Sequence, residues 1–165
     1  MILPFLLVFW LIACGFSTSE VGVFMPTEYA HLESLCRYVP QGSRFLDLGS
    51  GDGRVVKHAI KECGADAWGI EYDDYLYEHP FVEVKDRITH GNFFDYNWSS
   101  YDVIYYYLAG SNEEVRLLRK LREECKGIVI FYDNEVSLGY TGLFYSVIGL
   151  KLIEQYEYGR VYSCT

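Results

Sequence analysis

The sequence predicts an α/β fold: a doubly wound, mostly parallel sheet that ends in an antiparallel hairpin. Three observations predict it. Apolar strand-like runs alternate with helix-period stripes from residue 27 onward. The first strand runs into a glycine-rich turn that opens a helix, Arg44-Phe45-Leu46-Asp47-Leu48-Gly49-Ser50-Gly51-Asp52-Gly53-Arg54, and the second ends on an acid in Gly69-Ile70-Glu71. The tail holds two strand-like runs around Gly159-Arg160, a glycine-first pair that suits a tight hairpin.

The elements follow in order. Thr27 is placed to cap a helix whose Leu32, Leu35, Cys36 and Val39 share one face, with Pro40 and Gly42 stopping it. Strand one is Arg44 to Leu48. The next helix carries Val55, Val56, Ala59, Ile60 and Cys63 as a single stripe and ends at Gly64. Strand two is Ala67 to Tyr72. Pro80 breaks the stretch from Asp73 to Arg87, which leaves room for about two helical turns. Strand three is Arg87 to His90, and Gly91-Asn92-Phe93-Phe94 follows it. Strand four, Tyr101 to Leu108, is apolar and aromatic throughout, as a strand covered on both faces should be. A helix from Asn112 to Cys125 turns Val115, Leu118, Leu121 and Cys125 inward. Gly127 ends it, and Ile128 to Tyr132 makes strand five. A helix from Leu138 to Ile148 then leads to the hairpin strands Lys151 to Tyr158 and Val161 to Thr165.

Composition bounds the function. The 165 residues hold one domain, and 50% hydrophobic with 22% charged residues suits a packed core. The formal net charge of −9 argues against nucleic acid as a partner, because phosphate binding leans on clustered Lys and Arg. It favours a cationic substrate. The five cysteines, at 14, 36, 63, 125 and 164, have no C-x-x-C spacing and an odd count, so neither a zinc site nor a disulfide framework is suggested and reduced thiols are expected. His31, His58, His79 and His90 show no metal spacing and are read as structural or solvent-facing. No metal is expected.

Met1 to Phe16 is almost wholly apolar. As a helix it would span about 24 Å, short of the roughly 30 Å hydrocarbon core. A short membrane anchor or interfacial segment is the favoured reading. A secretory signal is weaker, since no Lys or Arg precedes the apolar run, although Leu11-Ile12-Ala13-Cys14 resembles a lipoprotein processing site. The third reading is an upstream start or an extra core helix.

The glycine spacing points to a ligand. A dinucleotide turn places a third glycine where Arg54 stands, and the run here is D-x-G-x-G-x-G, the form that binds S-adenosyl-L-methionine (SAM). Asp47 would hold the ammonium group, and Gly49, Gly51 and Gly53 would let the backbone lie against the methionine portion. Glu71 would accept both ribose hydroxyls. Asn92 would read the adenine edge while Phe93 packs on it. Alternation puts Tyr105 and Tyr107 on one face of strand four and Tyr106 on the other. Tyr107 and Leu108, nearest the carboxyl end, would line the substrate slot, where an aromatic face attracts and desolvates an amine.

These residues resemble the small archaeal protein-lysine methyltransferases and their relatives that methylate a lysine of the mitochondrial ATP synthase c-subunit. The resemblance runs from about Gly22 to Phe131. Phe24-Met25-Pro26-Thr27, Asp47 to Arg54, Gly69 to Glu71, Gly91 to Phe94 and the strand-four run ending at Tyr107-Leu108 carry it. It implies a Rossmann-like class I SAM-dependent methyltransferase fold, with Phe24, Pro26 and Thr27 on a lid that closes over SAM and helps form a lysine channel. The chain then divides into a hydrophobic anchor or targeting segment at 1–16, a linker and lid loop at 17–26, and a methyltransferase domain at 27–165. Four departures stand out: Phe24 replaces the usual tyrosine, the segment between strands two and three is short, Asp133-Asn134-Glu135 breaks the pattern, and Tyr140 matches an expected aromatic only loosely.

The expected activity is methyl transfer from SAM to a lysine amine of a protein substrate. A small-molecule methyltransferase and a SAM-binding module without catalysis are the alternatives. The expected location is a membrane, through residues 1–16, with the domain on the cytoplasmic or matrix-like side; a cytoplasmic protein is the alternative. SAM use also implies a reducing compartment.

Overall fold

The computed structural model describes residues 24–107, 114–132 and 149–165. Seven strands form one sheet: β1 (Arg44–Leu48), β2 (Asp66–Glu71), β3 (Ile88–His90), β4 (Val103–Tyr107), β5 (Ile128–Tyr132), β6 (Lys151–Tyr156) and β7 (Gly159–Ser163). Their order across the sheet is β3-β2-β1-β4-β5-β7-β6. The first five pair parallel, and β7 pairs antiparallel with both β5 and β6. The expected doubly wound sheet with its closing hairpin is present. From β1 the chain builds outward through β2 and β3, then returns to place β4 on the other flank of β1. The carboxyl ends of β1 and β4 therefore border the crevice in which such sheets bind ligands.

Helices α1 (Tyr29–Leu35) and α2 (Arg54–Lys61) lie on one face and α4 (Glu114–Glu124) on the other, while α3 (Asp74–Glu78) and a short 3-10 turn (Val82–Arg87) link β2 to β3. Strand alternation assigns the cores. Phe45, Val103 and Tyr105 pack against Leu32, Leu35, Val56 and Ala59 on the first face. Leu46, Leu48, Ile104 and Tyr106 pack with Trp98, Leu117 and Leu121 on the second. The expected split of Tyr105 and Tyr107 from Tyr106 holds.

Four local expectations are corrected. Thr27 does not cap α1: Glu28 occupies the cap position without a side-chain bond, and Thr27 Oγ1 is instead 3.1 Å from the Tyr105 hydroxyl. Val115 is exposed and Leu117 is buried in its place. Leu117, Leu118, Leu121 and Cys125 form the stripe, and Val115 falls about 100° from its centre. The hairpin loop is Glu157-Tyr158, because Tyr156 already pairs with Gly159. Gly159 lies inside the sheet, where a Cβ would run into the Phe131 carbonyl oxygen.

The cysteines are the fourth correction. Cys36 is joined to Cys63 with Cα atoms 4.9 Å apart, and Cys125 to Cys164 at 5.7 Å. Pairing here depends on how α1 packs on α2 and where β7 ends, which cysteine spacing along the chain does not reveal. Leu108, the acids at 133–135, Tyr140, the helix at 138–148 and the apolar segment at 1–16 lie outside the described residues. Among the described residues no helix is long and apolar enough to cross a membrane.

Candidate functional site

The turn after β1 is built from the backbone. Gly49, Gly51 and Gly53 have φ of 81°, 56° and 79°, a left-handed region in which a side chain is strained. Among the described residues only glycines adopt positive φ. The turn is tied to β2 by hydrogen bonds from the Gly49 and Ser50 amides to the Ile70 carbonyl, at 2.9 and 3.0 Å.

Two buried acids face this turn, and their surroundings differ. Glu71, at the end of β2, accepts from the Gly51 amide at 2.6 Å and from the Asp73 amide at 2.7 Å. One bond to each oxygen leaves further acceptor capacity on both. Asp47, paired with Tyr105 across β1 and β4, is 2% exposed, and its Oδ2 has no hydrogen-bond partner. Burial pushes the Asp47 carboxyl well above its usual range, and the charges of Glu71 and Asp52 push it further. A buried acid held in that state lacks a cation or donor. The α-ammonium of an amino-acid ligand is such a group.

Phe24 and Thr27 lie against the turn and against β4. The Phe24 ring lies over Gly51, where a Cβ would come within 2.6 Å of it, so Phe24 has to swing aside for a ligand to lie on that glycine. Thr27 is buried and reaches Tyr105, as above. Arg54 joins the Thr27 segment to the turn: its Nη1 donates to the Thr27 carbonyl at 3.2 Å, and its Nε and Nη2 grip Asp52 at 3.1 and 2.6 Å. Sequence reasoning gave Arg54 no role beyond breaking the dinucleotide pattern. Its signal was its place beside Asp52 at the mouth of the turn.

Asn92 and Phe93 follow β3 as expected, but the Asn92 amide oxygen accepts from the Phe94 amide at 3.0 Å. One lone pair of that oxygen is thus engaged within the turn. Phe93 is half-buried and packs on Phe94, Trp98 and Tyr106. Pro26, between Met25 and Thr27, is exposed.

On the β4–β5 side the site has an aromatic wall. Tyr107 is half-buried, and its ring stands edge-on to Tyr132, with centroids 4.4 Å apart. Behind it, His31 of α1 packs within 4.1 Å of Tyr132 and near Tyr105, Tyr156 and Tyr158. Neither His31 nitrogen has a partner, and burial lowers its pKa to about 4, so the ring is neutral. Sequence reasoning missed His31 and Tyr132 as members of this wall. They come from α1 and β5, and nothing in their spacing links them.

Comparisons with known proteins agree with the fold. Residues 29–105 match the model of a family described as methionine biosynthesis protein MetW. A search of curated proteins finds no match. Among solved structures, an RNA methyltransferase from Salinibacter ruber in complex with S-adenosyl-L-homocysteine is 25% identical, with a TM-score of 0.60 over 84% of this chain and 91% of that one. A TehB-like SAM-dependent methyltransferase from Corynebacterium glutamicum is 18% identical, with a TM-score of 0.63 over 96% and 94%. A precorrin-6y C5,15-methyltransferase from Geobacter metallireducens is 13% identical, with a TM-score of 0.62 over 86% and 89%. The fold is that of SAM-dependent methyltransferases, and the named substrates of these proteins differ widely.

Proposed function

We propose that this chain binds SAM at the turn after β1 and transfers its methyl group to an amine, specifically a lysine side chain of a protein. The observation that carries the cofactor half is the buried, unpartnered Asp47 oxygen beside a turn of three left-handed glycines, with open space over Gly49. Asp47 would take the ammonium group, Glu71 the ribose hydroxyls through its remaining lone pairs, and Asn92 with Phe93 the adenine. Bound there, SAM supplies an electrophilic methyl carried on a sulfonium.

The chain's own part is to present a neutral amine in line with that methyl. Tyr107 and Tyr132 form a wall that strips water from an incoming ammonium and so favours loss of its proton. Burial raises the Tyr132 phenol above its usual range, and the neighbouring Tyr107 adds to this, so the wall stays uncharged. Holding donor and acceptor in line accounts for most of the rate gain in such a displacement. The formal charge of −9 supports a cationic protein segment as substrate. An RNA substrate, like that named for the Salinibacter protein, would meet the same charge as repulsion.

Asp47→Asn tests the cofactor half. SAM should bind at least about tenfold more weakly to the variant by calorimetry. Its ligand-free thermal midpoint at neutral pH should rise. The sign follows from the raised carboxyl: the folded chain retains a proton that the unfolded chain releases near 3.8. Stability is therefore lost as pH climbs from there through the raised value, and asparagine removes that loss. Unchanged affinity overturns the cofactor reading. Methyl-labelled SAM incubated with lysate should yield methyl-lysine in hydrolysed protein; label confined to small molecules overturns the lysine assignment alone.

A further inference from the structure

We propose that Cys36, His58 and Cys63 form a thiol-gated zinc site, closed while the two sulfurs are bonded and able to take one Zn2+ when they are reduced. Cys36 caps the carboxyl end of α1, His58 lies on the last turn of α2, and Cys63 follows that helix. The three potential ligand atoms lie within 4.8 Å of one another, and His58 Nε2 is 3.7 Å from Cys36 Sγ. In a tetrahedral site with Zn–S near 2.3 Å and Zn–N near 2.0 Å, neighbouring ligand atoms are separated by about 3.5–3.8 Å. The nitrogen-to-sulfur distance already meets that value. The sulfurs have to move apart once their bond is broken.

The rest of the surroundings suits a metal. The His58 ring is half-buried beside the two sulfurs. The cluster borders an open groove of about 560 Å³ that Glu33 and Glu62 also line. Water from that groove or one of those carboxylates completes the fourth position. Two thiolates and an imidazole select zinc over magnesium or calcium. The second disulfide, Cys125–Cys164, has no third ligand: the Cys36 group is the sole cluster of this kind among the described residues.

The chemistry balances. A dithiol reductant breaks the Cys36–Cys63 bond, delivers two electrons and two protons to the sulfurs, and ends as a cyclic disulfide. Zn2+ then displaces the two thiol protons and takes the Nε2 lone pair. Both closed states, the disulfide and the zinc site, tie the end of α1 to the end of α2. In a reducing compartment, where disulfides do not persist, the metal would be the tie that remains.

The test uses the full chain in detergent with Cys14, Cys125 and Cys164 changed to serine, so that one cysteine pair remains. After reduction, one equivalent of Co2+ should give a sulfur-to-cobalt charge-transfer band that Zn2+ abolishes. The oxidised protein should give none. His58→Ala, which keeps both sulfurs, should weaken binding by about tenfold or more. Adding Cys36→Ser should remove the band, and circular dichroism checks that both variants are folded. Absence of the band in the reduced protein, its persistence with Cys36→Ser, or full affinity with His58→Ala overturns the proposal.

Discussion

The turn after β1 and the wall at the ends of β4 and β5 bound the same crevice, yet they are made differently. The turn is backbone. Three glycines adopt positive φ, and Glu71 is held by the Gly51 amide of the turn and by the Asp73 amide beyond β2. The wall is side chain. Tyr107, Tyr132 and His31 come from β4, β5 and α1 and meet only when the sheet is assembled. A backbone-built surface tolerates little change at its own positions and can serve one ligand class across many proteins. A side-chain wall can be rebuilt residue by residue, so under the proposed function it is where substrate choice would change.

The sharpest way to break this comparison is Gly51→Val. A β-branched residue at φ of 56° is strained, and its Cβ meets the Phe24 ring at 2.6 Å. SAM affinity by calorimetry should fall by about 100-fold or more. If instead the loss is below a few-fold, the turn does not form the ligand surface. Tyr107→Ala should do the opposite. It removes the ring that stands on Tyr132, so methyl transfer to a lysine-containing protein should drop about tenfold while SAM affinity stays within about threefold. An equal loss in both measurements would dissolve the distinction between turn and wall.

His31→Leu has the smallest expected effect and tests the wall's interior. The folded chain keeps this imidazole neutral down to about 4, while the unfolded chain protonates it near 6.5. Stability is therefore lost as pH falls from 6.5 to about 4, by on the order of 2–3 kcal/mol, and then levels off. Leucine should flatten that slope and leave stability at neutral pH unchanged or higher, since neither ring nitrogen has a partner to lose. Denaturant midpoints at pH 7 and 4.5 would show it. A variant with the parent's acid sensitivity would place the titrating group elsewhere.

The same contrast explains what could be read in advance. The βαβ unit was legible because its signals are local: β1 matches its expected bounds, and the glycine turn and Glu71 lie where the spacing put them. Thr27 was misread as a helix cap because a threonine ahead of an apolar stripe is the ordinary capping signal. Its hydroxyl was drawn to Tyr105, 78 residues away. Val115 was misplaced because a helix stripe shifts with the residue chosen to start it, and packing on the sheet chose Leu117. The hairpin loop was displaced by two residues because Gly159 looks like a turn glycine and serves instead where β7 crowds the Phe131 carbonyl.

By itself the sequence determined the order of strands and helices, the glycine turn and the acid that faces it. Each of these rests on φ preference, side-chain period or a short spacing along one segment. Tertiary structure alone decided which strand flanks which, that one Asp47 oxygen would be buried without a partner, and that Arg54 would join Thr27 to the turn. It also decided that four cysteines would pair and that His58 would stand beside one of those pairs. These are matters of three-dimensional distance between segments tens of residues apart. Such distances are fixed only when two faces of one sheet are packed at once.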